Sequence, residues 1–141
     1  MHDTYDLERF VTAQDANGTY DEALAELRRG RKTSHWMWFV FPQIAGLGRS
    51  ATSRRFAVSS LAEAQAYARH PVLGPRLRES AQVVAETGAG SAEEVFGDID
   101  AVKLRSSMTL FARAAPGEPA FQRVLDRFFG GAGDPETLRR L

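Results

Sequence analysis

The sequence predicts an all-α fold, a compact multihelical single domain over residues 1–141, with about seven to nine helices, several of them short. Three observations predict it. Apolar residues recur at helical spacing along most of the chain. Ser, Thr or Asp opens many of these stretches and Gly or Pro closes them, as helix caps do. No stretch sustains the apolar–polar alternation of a half-buried strand, and Phe39-Val40-Phe41 is the one strand-like run.

From the N-terminus, Asp6 is placed to cap a first helix that carries Leu7, Phe10 and Val11 on one face, and Asn17-Gly18 then turns the chain. Thr19 opens TYDEALAELRRG, with acids in the first turn, arginines in the last and Gly30 at the stop, an order that complements the helix dipole. Ser60 and Glu63 form a capping box before LAEAQAYARH. His70-Pro71 breaks that helix, and Pro71 is read as the first-turn proline of the next, whose face is Leu73, Leu77, Ala81 and Val84. Gly88 closes it. Ser91 and Glu94 make a second capping box for a short helix closed by Gly97, and Asp98 begins another with Leu104, Met108, Phe111 and Ala115 on one face. After Pro116-Gly117, PAFQRVLDRFFGG is the cleanest amphipathic pattern. Asp134 caps and Pro135 opens a last short helix.

A chain of 141 residues can bury a real hydrophobic core. No apolar run approaches membrane-spanning length, and MHDTYDLERF lacks the layout of a signal peptide. The chain has no cysteine, which excludes disulfides and thiolate metal sites and fits a cytoplasmic protein.

Net charge is zero, but it is unevenly placed. Residues 1–26 carry seven acids against Arg9, and residues 27–62 carry seven bases and no acid. Such a block favours an anionic ligand if its charges converge, or it pairs with the acidic N-terminal helices. The neutral total argues against a broad basic face for nucleic acid.

Several chemistries are excluded. His2, His35 and His70 are not in ligand spacing, so no metal site is expected. No nucleophile elbow or phosphate-binding P-loop is present, and Gly46-Leu47-Gly48 does not complete a dinucleotide fingerprint because Ala51 stands where the third glycine belongs. No cofactor is implied. Asp98 and Asp100 at a helix start read as capping residues before they read as an acid–base pair.

Three polar clusters remain as candidate sites. The first, Arg31-Lys32-Thr33-Ser34-His35, is either a basic helix end with a cap for the next segment or an anion site. The second is Trp36 to Ser50. If residues 36–41 are helical, their side chains point all round and are mostly core; if extended, Trp36, Trp38 and Val40 share a side. In either geometry, one tryptophan could stack on a planar ligand. Gln43, Gly46, Gly48 and Arg49 would then supply donors to an anion. The third is Lys103, Arg105, Ser106 and Ser107, where mid-helix serines mark either close helix packing or a polar pocket wall.

SHWMWFVFPQ (34–43), GLGRS (46–50), HPVLGPRL (70–77), EVFG (94–97), KLRSSMTLF (103–111) and LDRFFGG (125–131) together resemble a bacterial domain-of-unknown-function family, number 1810, often mislabelled calpastatin. The resemblance runs from about Leu7 to Leu141 and implies a mostly helical fold, with no established activity. Calpastatin repeats are disordered inhibitory segments, unlike this folded pattern. A looser fold-level analogy is to the NADAR domains, which act on ADP-ribose derivatives; it carries over no catalytic residue.

The expectation is a small cytoplasmic domain that binds an anionic, nucleotide-like ligand, with processing of an ADP-ribose derivative as an extension and no catalytic residue identified. The alternative is a protein-interaction module without catalysis. A concave pocket joining residues 34–50 to 103–107 favours the first, and a flat apolar patch the second.

Overall fold

The computed structural model describes residues 3–141, so His2 lies outside the described residues. Among those residues there are nine α-helical segments, one 3-10 turn and no strand. In chain order they are α1 (Glu8–Asp15), α2 (Thr19–Arg29), α3 (Met37–Val40), α4 (Ala51–Arg55), α5 (Leu61–Arg69), α6 (Leu73–Glu86), α7 (Ala92–Ala114), α8 (Pro119–Phe128) and α9 (Pro135–Arg139). The all-α expectation holds. Among the described residues, no helix is long and apolar enough to cross a membrane.

Local capping sets most boundaries. Ser60, Ser91 and Asp134 each accept the backbone N–H three residues on, at 3.1, 3.2 and 3.0 Å. Gly30 ends α2 at φ 79°, a left-handed value that glycine adopts without strain. Gly97, also at φ 79°, breaks α7 into the two helices that its sequence implies.

Two boundaries differ from expectation. Asp6 caps nothing and sits at φ 51°. Asp3 takes that role, its carboxylate accepting from the N–H groups of Leu7 and Glu8 at 2.8 and 3.0 Å. Pro71 precedes the first turn of α6 rather than starting it. His70 caps that helix, its Nδ1 accepting from Val72 and Leu73 at 3.1 and 3.2 Å.

The core is built around α6 and α7. Helix α6 packs on α2, α5 and α8, while α7 packs on α5, α8 and α9. One aromatic chain runs through Phe10, Tyr67, Phe111 and Phe121, with successive ring centroids 5.1, 5.2 and 5.9 Å apart. A second cluster joins Trp36, Phe41 and Phe96.

One non-helical feature positions the site. Val58 N–H donates to the Gln43 carbonyl and Ala45 N–H to the Val58 carbonyl, both at 2.8 Å. This isolated parallel bridge pins residues 43–45 to residue 58. The twelve residues between, including α4, are thereby forced out as a closed lobe.

Candidate functional site

Glu26 organises the entry to the aromatic run. It lies in α2 and is fully buried. Its Oε1 accepts from the N–H groups of Thr33 and Ser34 at 2.7 and 2.9 Å, and from the Trp36 indole N–H at 3.0 Å. Its Oε2 accepts from the Ser34 hydroxyl at 2.6 Å. Burial pushes this carboxyl up, but the four hydrogen bonds outweigh it and hold the acid down at about 2. Ser34 and Trp36 therefore spend their polar atoms inside the fold, and Trp36 is wholly buried. The one-turn helix α3 makes the helical reading of the run the correct one, and it leaves Trp38 half-buried.

The chain's two lysines meet. Lys32 and Lys103 reach opposite oxygens of Asp100 at 3.0 and 3.6 Å. Lys32 also donates to the Ser34 carbonyl at 2.5 Å and lies over the Trp36 ring, while Lys103 lies over the Trp38 ring, each 5.0 Å from the centroid. Asp100 is thus a bridge rather than the expected helix cap. The bridge ties the first candidate cluster to the third.

Two adjoining hollows flank the glycine loop, sharing Gln43 and Gly48 as walls. The larger, a cleft of about 390 Å³, sets Gln43, Leu47 and Gly48 against Lys103 and Ser106 of α7. Ile99 and Val102, exposed by 75% and 64%, give it an apolar rim, and Asp134 and Glu136 close its far side. The loop 43–48 and the 103–106 turn of α7 therefore do face each other across one concavity.

The smaller hollow, about 130 Å³, lies between Trp38 and the lobe. Gln43, Gly46 and Gly48 line it together with Ser53 and Arg54. It has no acid in its wall. Gly46 takes φ 100°, and a Cβ there would stand 2.9 Å from Nε of Arg140. A Cβ on Gly48 would stand 2.6 Å from Cβ of Ser53. Both glycines thus allow close packing of the loop.

The remaining expected site residues sit elsewhere. His35 and Arg49 are exposed and line neither hollow. Arg105 donates to the carbonyls of Ala132 and Gly133 at 3.2 and 3.1 Å, holding the α8–α9 connection. Ser107 is buried and its hydroxyl has no partner among the described residues. Ser106 and Thr137 hydroxyls are 2.8 Å apart, and Thr137 gives its one hydrogen to Asp134 at 2.6 Å. Ser106 must then be the donor to Thr137, which leaves it only lone pairs to offer the cleft.

Sequence reasoning missed Ser53, Arg54 and Glu26. A five-residue helix with no buried side chain gives no periodic signal, although Ser50, three residues before Ser53, is its cap. Among the described residues, no group of three His, Asp or Glu side chains could hold a metal ion.

A search of curated proteins gives no match. The chain is similar to the conserved hypothetical protein Rv1873 from Mycobacterium tuberculosis, whose crystal structure superposes with a TM-score of 0.95. The two are 50% identical, over 99% of this chain and 98% of that one. A family model for proteins of unknown function, DUF1810, matches residues 4–141. With nearly its whole length matched, the chain belongs to the DUF1810 family.

Proposed function

We propose that this domain binds a small ligand bearing an anionic group, in the paired hollows between the 43–48 loop and α7. The observation that carries the reading is the convergence of Gln43, Gly48, Lys103 and Ser106, from two distant parts of the chain, on one cleft of ligand size. The half-buried Trp38 ring and the Arg54 side chain on the other side of Gln43 add a planar surface and a cation. Nucleotides and ADP-ribose derivatives are the first classes to screen. The reading is one of binding alone. Neither His35 nor His70 lines a hollow, and Asp134 and Glu136 are committed to hydrogen bonds and ion pairs within the fold. A cytoplasmic setting fits a chain without cysteine.

A thermal-shift screen with nucleotides, ADP-ribose derivatives and small carboxylates at millimolar concentration tests the reading. Stabilisation that Val102→Asp or Arg54→Gln abolishes supports it, and no stabilisation by any probe overturns it. A protein-interaction role is a second reading, favoured by the exposure of Ile99 and Val102. It expects sedimentation velocity to show self-association that Ile99→Ser with Val102→Ser removes.

A further inference from the structure

The two hollows differ in chemistry, and the difference selects a ligand class. The small hollow is lined by Arg54, Ser53, Gln43 and the glycine backbone, with no carboxylate. Arg54 has no acidic partner among the described residues, and the Gln43 amide makes no side-chain hydrogen bond there. At about 130 Å³ the hollow is below the size of a drug-like site, so it takes one group of a ligand rather than a whole one.

The cleft beyond Gln43 is the reverse. Leu47, Ile99 and Val102 give it an apolar surface, and Asp134 adds a carboxylate with no basic partner among the described residues, while Glu136 is neutralised by Arg139 and Arg140. Ser106 has already spent its hydrogen on Thr137 and offers lone pairs only. The Lys103 ammonium is drawn to Asp100 at 3.6 Å. A diphosphate laid along this cleft would meet the Asp134 carboxylate and a hydroxyl that cannot donate, with Lys103 already drawn to Asp100.

Resting on the ligand-binding reading above, we propose that the ligand is an amphipathic monocarboxylate: its carboxylate enters the hollow at Arg54 and its apolar body lies on Leu47, Ile99 and Val102. One guanidinium offers a planar fork that matches a single carboxylate, and a hollow this small has room for one such group. The apolar rim rewards an aryl or branched alkyl body in proportion to the area it covers.

The test is a binding series read by Trp38 fluorescence and calorimetry on the intact chain. The probes are acetate, benzoate, 2-naphthoate, the neutral 2-naphthamide, AMP and ADP-ribose. Affinity is expected to rise from acetate to 2-naphthoate and to fall about tenfold in the amide, the worth of one charge-assisted hydrogen bond. Arg54→Gln should remove that preference for acid over amide. Val102→Ser should weaken 2-naphthoate and leave acetate unchanged. The Arg54 side chain is exposed and makes no hydrogen bond among the described residues, so its variant is expected to fold. Tighter binding of AMP or ADP-ribose than of every carboxylate overturns the monocarboxylate class and keeps the ligand-binding reading. Binding of no probe overturns both. Equal binding of acid and amide overturns the role of Arg54.

Discussion

Neutralising Glu26 should make the fold far less stable at neutral pH and remove much of its sensitivity to acid. The carboxylate is fully buried and accepts four hydrogen bonds, from Thr33, Ser34 and Trp36. Those bonds hold its pKa at about 2 against an ordinary 4.5, despite burial that pushes the other way. A folded value below the unfolded one means that the native state holds its proton less tightly. The resulting stability is therefore fully present above about pH 4.5 and is lost as pH falls toward 2. At about 1.4 kcal/mol per tenfold change in proton affinity, the difference corresponds to about 3 kcal/mol.

Glu26→Gln keeps the shape but turns an NH2 donor toward a cluster of donors. Its cost at pH 7 should be about 3 kcal/mol, or roughly 10 °C in melting temperature for a domain of this size. Urea titrations of both proteins at several pH values between about 7 and 2.5 give the answer. Asp3 is also held below its ordinary value by the N–H groups of Leu7 and Glu8, so the readout is the difference between the two proteins. That difference should shrink steadily below about pH 4.5. Parallel curves across the whole range would refute the account of Glu26, because its charge would then contribute nothing to folding.

Packing and pairing make three other perturbations informative. Arg9 pairs at 2.9 Å with Glu63, which is 2% exposed, so Arg9→Met strands a buried charge and should cost about 3 kcal/mol or more; Glu63→Gln in the same chain should recover part of it, and a single-variant loss under about 1 kcal/mol in urea unfolding would contradict this. Gly74→Ala should destabilise α6 by about 1–3 kcal/mol despite alanine's higher helix propensity, because its Cβ would collide with the Ala68 carbonyl oxygen; a rise in melting temperature would show that the α5–α6 corner yields. Lys103→Met should change stability by about 1 kcal/mol or less, since Lys32 keeps Asp100 paired, yet it should shift Trp38 emission; the same change in a Trp38→Phe background should shift nothing.

Local features of the fold are legible in the sequence, and non-local ones are not. The caps at Ser60, Ser91 and Asp134 depend on a donor three residues away, so spacing alone finds them. Asp6 is a misreading of the same kind of signal: Asp3 and Asp6 both precede the helix, and only geometry shows which carboxylate reaches Leu7 and Glu8. Glu26 reads as an ordinary surface acid of an amphipathic helix. Its burial comes from residues 33–36 folding back over α2, which no helical periodicity encodes. Of the candidate site, Trp38, Gln43, Gly46, Gly48, Lys103 and Ser106 line the hollows, while Ser53 and Arg54 sit on a helix too short to announce itself.

The acid-free block of residues 27–62 shows why charge in sequence is a poor measure of charge in space. Folding pairs Lys32 with Asp100 at 3.0 Å and brings Arg29 and Arg28 to 3.7 and 4.0 Å of Glu22 and Glu79. Arg31, Arg49, Arg54 and Arg55 are left without an acidic partner among the described residues, and all four are exposed. Of these, Arg54 alone lines either of the two hollows beside the 43–48 loop. Exposed charges are screened within about 8 Å at physiological ionic strength, so the other three add little to the field inside them. On the proposed reading, the seven-charge block thus acts on a ligand through one guanidinium, that of Arg54. On that reading, an anion in the small hollow is held by the single Arg54 ion pair, with the apolar rim supplying the rest. Binding should therefore lose little affinity as salt rises, in contrast to a site that gathers many phosphates. A steep salt dependence would mean that the unpaired arginines converge on the ligand after all.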